Sequence, residues 1–172
     1  MHRSLHFVPG DQPRYIDRAH GLEGDAIVFE LEDAVPLSMK DIARENIENA
    51  LCAKHWGQST YIRINGFESS EFEKDLALLK KIKVQGIVLP KAENSRIVSE
   101  SIRALLAVSP GLEIIPLIES FQGLENLSEI CQNPSIVGLG LGLEDLFSQT
   151  LLRVDTADAM VSWARCRVVA GA

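Results

Sequence analysis

The stretch Glu113-Ile114-Ile115-Pro116-Leu117-Ile118-Glu119 is a short apolar run that ends in a carboxylate. A second apolar run, Ile136–Gly142, is followed closely by Asp145. Apolar runs without polar alternation are typical of parallel strands that are buried on both faces. If these two runs are neighbouring strands, Glu119 and Asp145 lie at the same edge of one sheet. Two hard oxygen ligands at one edge, with room for water and substrate, predict a Mg²⁺ site.

Strand-like and helix-like segments alternate along the rest of the chain. The predicted strands are Ser4–Val8, Asp25–Leu31, Thr60–Ile64, Gly86–Leu89, Glu113–Ile118 and Ile136–Leu141. The predicted helices are Arg14–Gly21, Ser38–Trp56 with Ser38 as its N-cap, Ser70–Lys81, Ser95–Val108, Leu124–Cys131, Asp145–Leu152 and Thr156–Ala170. Repeated βα units require a mostly parallel sheet that is covered by helices.

Two α/β architectures fit this pattern, an open doubly wound sheet and a TIM-type (β/α)8 barrel. Polar residues follow several different strands, which favours the barrel because its active site draws on many βα loops. The chain contains only six such units. We therefore predict a single, incomplete TIM-barrel domain over residues 1–172, truncated to about six βα units, with open sheet edges.

Composition narrows the classes of function. The 172 residues are 46% apolar and 24% charged, as in a soluble globular domain. The net charge of −7 argues against a nucleic-acid partner, and no apolar run reaches the roughly 18 residues of a membrane helix. The N-terminus lacks a signal-peptide pattern, and the three cysteines form no C-x-x-C motif. We expect a cytoplasmic protein that binds neither nucleic acid nor membrane.

The other strand ends also carry charged residues. Glu32 and Asp33 follow strand two, and Arg63 lies at the end of strand three. A carboxylate after a strand, such as Glu119 or Asp145, could simply cap the next helix, and Arg63 could be a structural ion-pair partner. Their convergence favours chemistry: Arg63 offers a permanently charged, bidentate donor to a substrate oxygen. Glu32 and Asp33 would accept hydrogen bonds from metal-bound waters or from an arginine.

Two further cations are candidate substrate-binding groups, Arg3 at the start of strand one and Lys91 after strand four. A lysine just past a barrel strand can also form a Schiff base, as in metal-free aldolases. Two interpretations of Lys91 therefore stay open. In the first, Lys91 contacts a charged substrate group or forms an ion pair; in the second, it binds the substrate covalently.

Six motifs in order resemble the citrate lyase beta-subunit family within the HpcH/HpaI aldolase group. They are Arg3–Asp11, Leu31–Val35, Arg63–Gly66, Pro90–Glu93, Pro116–Ser120 and Gly142–Leu146. The resemblance implies a Mg²⁺-dependent TIM-barrel lyase that cleaves a 3-hydroxy-dicarboxylate thioester. Its substrates would be citryl, malyl or citramalyl thioesters of coenzyme A or acyl-carrier protein. Its products would be an acetyl thioester and a 2-keto acid.

By position in these motifs, Glu119 and Asp145 match the family's Mg²⁺ ligands and Arg63 its substrate-binding arginine. Glu32 and Asp33 match the acidic pair near the metal. The chain departs from the family at Gln12, where arginine is common, at Glu30, where aspartate is usual, and at Leu141, where phenylalanine is common.

The resemblance also concerns length and assembly. Family members continue for two more strands, so the chain looks truncated, and the family pattern implies a homo-oligomer, a trimer or larger. Two alternatives to a working lyase follow: a relative that binds metal and keto acid without turnover, and a Schiff-base aldolase that uses Lys91.

Overall fold

The structure, a computed structural model, describes residues 2–150 and 158–171. These residues form two compact units. Unit 1 contains the described residues of 1–88 and 105–112, and unit 2 those of 89–104 and 113–172. One long helix, α4 (Ser95–Val108), has residues in both units and coincides with its predicted bounds.

Unit 1 is built on parallel strands that pair in chain order. These strands are β1 (Leu5–Pro9), β2 (Ala26–Glu30), β3 (Ser59–Arg63) and β4 (Gly86–Leu89). In a doubly wound sheet the strand order reverses at a switch point. Sequential order with right-handed crossovers instead keeps every helix on one face, as in a barrel. The pairing in unit 1 therefore favours the barrel prediction.

The side chains of β2 show why this run forms a strand covered on both faces. All five residues are buried, from Ala26 to Glu30. The ring of Phe29 meets Trp56 edge-on, with centroids 5.1 Å apart. Because successive side chains alternate between faces, Glu30 points away from that apolar contact. Its register partners are Pro9 on β1 and Arg63 on β3.

Three helices and one 3₁₀ turn complete unit 1. They are α1 (Pro13–Ala19), the turn Leu37–Met39, α2 (Lys40–Ala53) and α3 (Phe72–Leu79). The predicted N-cap role of Ser38 is wrong, since Ser38 lies inside the 3₁₀ turn and α2 begins at Lys40 without a side-chain cap. The start of α2 is fixed instead by the ammonium group of Lys40, which bonds to the loop after β2.

Unit 2 carries two further parallel strands and short helices. These elements are β5 (Glu113–Ile118), α5 (Phe121–Glu125), α6 (Leu127–Ile130), β6 (Gly140–Leu141), α7 (Leu143–Ser148) and α8 (Asp158–Gly171). Leu117 pairs with Gly140 and Ile118 with Leu141. Leu124, Leu127 and Ile130 are buried, and the Arg167 guanidinium of α8 donates to the Leu124 carbonyl at 3.1 Å.

Two predicted elements of unit 2 differ from the structure. Of the strand predicted over Ile136–Leu141, the structure contains only two residues and one isolated β-bridge between Ile114 and Ile136. The strand is shorter because glycine has a low propensity for β-strands. The helix predicted over Leu124–Cys131 is replaced by α5 and α6, which meet at Asn126, whose amide donates to the Glu93 carbonyl at 2.8 Å. The predicted helix end at Leu152 and helix start at Thr156 lie outside the described residues.

Within residues 2–150 and 158–171, no helix is both long and apolar enough to cross a membrane. The three cysteines are free thiols.

Candidate active site

In unit 1 the carboxyl ends of β2 and β3 bring Arg63 together with two carboxylates. The Arg63 Nε donates to Glu30 Oε2, and its Nη1 lies 3.5 Å from Glu32 Oε2. The second oxygen of Glu30 accepts the backbone N–H of Glu32 at 2.5 Å. A single buried carboxylate thus contacts both the arginine side chain and the backbone of the residue that follows the strand.

On the Glu30 side, this group is shielded from solvent. Glu30 is only 1% exposed, and burial raises the pKa of its carboxyl, against the opposing charge of Arg63. The Arg63 side chain is 16% exposed, and its guanidinium carbon lies 5.6 Å from the ring centroid of Phe7 on β1. An arginine held by a carboxylate and an aromatic face is fixed in position while still reaching solvent.

A second buried cation holds the loops around this group. All three donors of the Lys40 ammonium are used: to the carbonyls of Leu31 (2.7 Å) and Glu32 (2.9 Å), and to Asn65 Oδ1 (2.6 Å). Burial lowers the pKa of Lys40, although the negative charge of Asp75 and of the neighbouring glutamates opposes this. Lys40 therefore connects the loop after β2 to Asn65, which lies just beyond the end of β3.

The network continues from Asn65 to α3 and α2. The Asn65 backbone and side-chain N–H groups donate to Asp75 Oδ2 at 2.7 and 2.8 Å. The fully buried Asp75 also accepts from Arg44 Nε at 2.8 Å, and Arg44 pairs with Glu71 at 2.8 Å. Alternating charges satisfy each buried group, so the ends of β2 and β3 rest on a rigid polar base.

Two other predicted residues belong to unit 1. Asp33 follows Glu32 and is exposed. Arg3 lies before β1 and pairs with Asp25, which precedes β2, at 3.2 Å. That pair is at the amino ends of the strands, whereas Arg63 is at a carboxyl end, so the structure does not bring Arg3 and Arg63 together.

In unit 2 the carboxylate of Glu119 is buried at the end of β5. It is 6% exposed, and its Oε2 accepts the backbone N–H of Lys91 at 3.0 Å. Lys91 has φ of 56°, a left-handed conformation that non-glycine residues rarely adopt. Its side chain is exposed.

The end of β6 lies directly against Glu119. A Cβ atom on Gly142 would sit 2.6 Å from Glu119 Cγ and 3.0 Å from Glu119 Oε1. Gly142 also donates its N–H to the Ile118 carbonyl at 2.9 Å, and α7 begins at the next residue. Asp145 is in the first turn of α7 and is partly exposed. Glu119 and Asp145 thus follow the carboxyl ends of two paired strands.

This donor set fits Mg²⁺, which binds through one or two carboxylates and keeps several waters. Across the described parts of the chain, no group of three or more His, Cys, Asp or Glu side chains is arranged to hold a metal. The described residues therefore contain no site in which all the metal ligands come from protein side chains, as a structural zinc site requires.

The sequence patterns missed several residues on which these groups depend. Sequence patterns identify Glu30 only as a departure from the family and Asn65 only as part of the Arg63–Gly66 motif, and they do not single out Lys40 or Asp75. Each lies inside a helix or strand pattern or in a turn signal, where polar residues are ordinarily solvent-facing. Only the paired strands and packed helices show that these four side chains are buried together.

Comparison with known proteins agrees with this fold. The family model for HpcH/HpaI aldolase/citrate lyase matches residues 3–172. The chain is 32% identical over 145 residues to a (3S)-malyl-CoA thioesterase of Cereibacter sphaeroides strain KD131, covering 84% of this chain and 50% of the relative. It is 31% identical over 155 residues to citrate lyase subunit beta of Leuconostoc mesenteroides subsp. cremoris, covering 84% and 51%.

A solved structure shows the same architecture. The citrate lyase beta subunit from Mycobacterium tuberculosis, complexed with oxaloacetate and magnesium, superimposes with a TM-score of 0.79 at 26% identity. The match covers 98% of this chain and 72% of that one.

The α/β fold is therefore that of a TIM-type barrel, represented here by six parallel strands and their helices. The chain belongs to the HpcH/HpaI aldolase/citrate lyase family. It spans about half the length of the curated relatives it matches.

Proposed function

We propose that this chain carries the site of a Mg²⁺-dependent carbon–carbon lyase. The substrate would be a 3-hydroxy-dicarboxylate thioester, such as citryl-, malyl- or citramalyl-CoA or the corresponding acyl-carrier-protein thioester. The products would be an acetyl thioester and a 2-keto acid. The observation that carries the proposal is the buried Glu119 carboxylate, oriented by the Lys91 N–H and accommodated by Gly142, one strand from Asp145.

In this proposal Glu119 and Asp145 are the residues that hold the metal. When bound, Mg²⁺ supplies Lewis-acid stabilisation of negative charge on substrate oxygens. The family relationship supports this assignment, because the related M. tuberculosis citrate lyase beta subunit was solved with magnesium and oxaloacetate.

Arg63 is the substrate-binding cation of the proposal. Its guanidinium is permanently charged and held by Glu30, so it can donate to a substrate carboxylate or carbonyl oxygen without first being ordered. Glu32, 3% exposed and within 3.5 Å of Arg63, keeps that arginine oriented. Asp33 is exposed and is assigned the role of accepting hydrogen bonds from bound water. Lys91 is assigned a contact to substrate charge through its exposed side chain, and Arg3 is left out of the site.

The experiment has a binding arm and a turnover arm. Isothermal titration of the purified chain with Mg²⁺ and oxaloacetate or glyoxylate should show Mg²⁺-dependent keto-acid binding. That binding should be lost in Glu119→Gln and Asp145→Asn but kept in Glu144→Gln, which alters the exposed neighbouring carboxylate on the same helical turn. Equal binding by all three variants would remove Glu119 and Asp145 from the metal site.

Turnover with malyl-CoA separates the possible reactions. A lyase releases acetyl-CoA and glyoxylate, whereas a thioesterase releases malate and free coenzyme A. Chromatography of the products distinguishes the two, and binding without either product would favour the non-catalytic alternative. We also expect a cytoplasmic homo-oligomer, a trimer or larger, which light scattering would test.

A further inference from the structure

We propose that Glu30 is a positioning residue that fixes the Arg63 side chain and the Glu32 backbone relative to each other. This inference rests on the proposed function only in the roles that it gives to Arg63 and Glu32. The starting observation is that both carboxylate oxygens of Glu30 are engaged: one accepts from Arg63 Nε and the other from the Glu32 N–H.

The register of the sheet explains why one residue can hold both groups. Glu30 and Arg63 are partners across β2 and β3, so their side chains leave the sheet on the same face. Glu32 lies two residues further along the chain, and the backbone between them stays paired because the Leu31 N–H donates to the Arg63 carbonyl at 2.9 Å. The Glu30 carboxylate thus connects the Arg63 side chain to the backbone just after the end of β2.

The backbone at Glu32 is held from two sides. Glu30 accepts its N–H, and the Lys40 ammonium donates to its carbonyl at 2.9 Å. The peptide groups on either side of the Glu32 Cα are therefore both anchored by buried charges. The Glu32 backbone is therefore held in place with respect to Arg63.

Burial makes the Glu30–Arg63 contact strong and specific. At 1% exposure Glu30 is screened from solvent, and Arg63 is the cation that lies against it. A buried carboxylate without its cation would be strongly disfavoured, so the arginine cannot turn away at low cost. The length of the Glu30 side chain then sets how far the guanidinium stands from the strand. Shortening this side chain should draw Arg63 back or break one of the two bonds.

The test compares two isosteric charge removals. Glu30→Gln removes the charge facing Arg63. Asp25→Asn is the matched control, because Asp25 also accepts from an arginine side chain and from backbone N–H groups in unit 1, but it lies at the amino ends of the strands, away from Arg63 and Glu32. Glu30→Asp keeps the charge on a shorter side chain. It takes the place of Glu30→Gln in the test if that variant does not fold.

The primary measurement is the Arg63 Nε–H resonance in a ¹H–¹⁵N spectrum, assigned by its loss in Arg63→Lys. We expect this resonance to move in Glu30→Gln and Glu30→Asp and to stay in place in Asp25→Asn. An unmoved resonance in both Glu30 variants, or an equal movement in Asp25→Asn, would overturn the inference.

The second measurement links position to binding. Affinity for oxaloacetate in the presence of Mg²⁺ should fall roughly tenfold in Glu30→Gln, in line with loss of one hydrogen bond to a charged group, and should be unchanged in Asp25→Asn. If Arg63→Lys leaves the affinity unchanged, the proposed role of Arg63 in binding is wrong, while the resonance still decides whether Glu30 positions it. If Arg63→Lys weakens binding and Glu30→Gln does not, Glu30 is not a positioning residue for the site.

Discussion

Gly142→Ala offers a sharp test of how the Glu119 carboxylate is held. The new Cβ would lie 2.6 Å from Glu119 Cγ, 3.0 Å from Oε1 and 3.2 Å from Cδ. Ordinary van der Waals contacts begin at 3.4 Å, so the Glu119 side chain must retreat by about 0.8 Å. Its other side is restrained by the bond from the Lys91 N–H at 3.0 Å, which a retreat would lengthen or break.

The expected magnitude follows from this crowding. Overpacking at a well-packed position costs about 1–3 kcal/mol. If that cost falls on the arrangement that binds metal, affinity for Mg²⁺ drops by roughly 10- to 100-fold, the range seen when groups that orient metal ligands are altered. Thermal unfolding should show a smaller effect, because Glu119 can swing aside when no metal is bound.

Gly138→Ala is the matched control within the same glycine-rich stretch. A Cβ at Gly138 meets nothing within 4 Å, so this variant should bind Mg²⁺ like the parent protein. Titration calorimetry with Mg²⁺ in the presence of oxaloacetate measures both. The reasoning is refuted if Gly142→Ala binds Mg²⁺ within about twofold of the parent, or if the two alanine variants lose affinity equally.

Three further predictions follow from contacts in the structure. Gly10→Ala should lower the free energy of unfolding by about 1–3 kcal/mol in urea titrations, because its Cβ would lie 2.8 Å from the Glu30 carbonyl, whereas Gly57→Ala, with open space around it, should not. Arg3→Ala should leave keto-acid affinity unchanged in calorimetry. It should also change how the stability of the protein depends on pH in the acid range. Arg3 lowers the pKa of Asp25 to about 2, so its stabilisation is present above pH 3.8 and lost as the pH falls through about 2. The difference in melting temperature between parent and Arg3→Ala should therefore vanish over that window, and a difference that grows towards pH 2 would contradict the sign. Borohydride with a 2-keto acid should add no mass at Lys91, whose amine is exposed, and a trapped adduct there would restore the Schiff-base alternative.

Local sequence patterns are sufficient to identify most elements of this fold. The bounds of β4, α4 and β5 coincide with their predictions, because each is a continuous apolar or amphipathic run; proline follows β4 and α4 closely, and Glu119 follows β5. The same patterns place Glu119 and Arg63 at the ends of strands. They fail in unit 2 where glycine breaks the run before Gly140 and where Asn126 divides a predicted helix.

The sequence by itself determined where β1 to β5 lie, to within one residue at either end, and that these strands run parallel, since apolar periodicity and turn residues are local properties of the chain. Only the tertiary structure decided which charges meet. Glu30 reaches Arg63 and Glu32, Lys40 reaches Asn65, and Arg3 reaches Asp25 at the opposite ends of the strands. These partners are 22 to 33 residues apart in the chain, except where Glu30 bonds Glu32. Strand register and helix packing bring such groups together, and burial then makes their pairing obligatory.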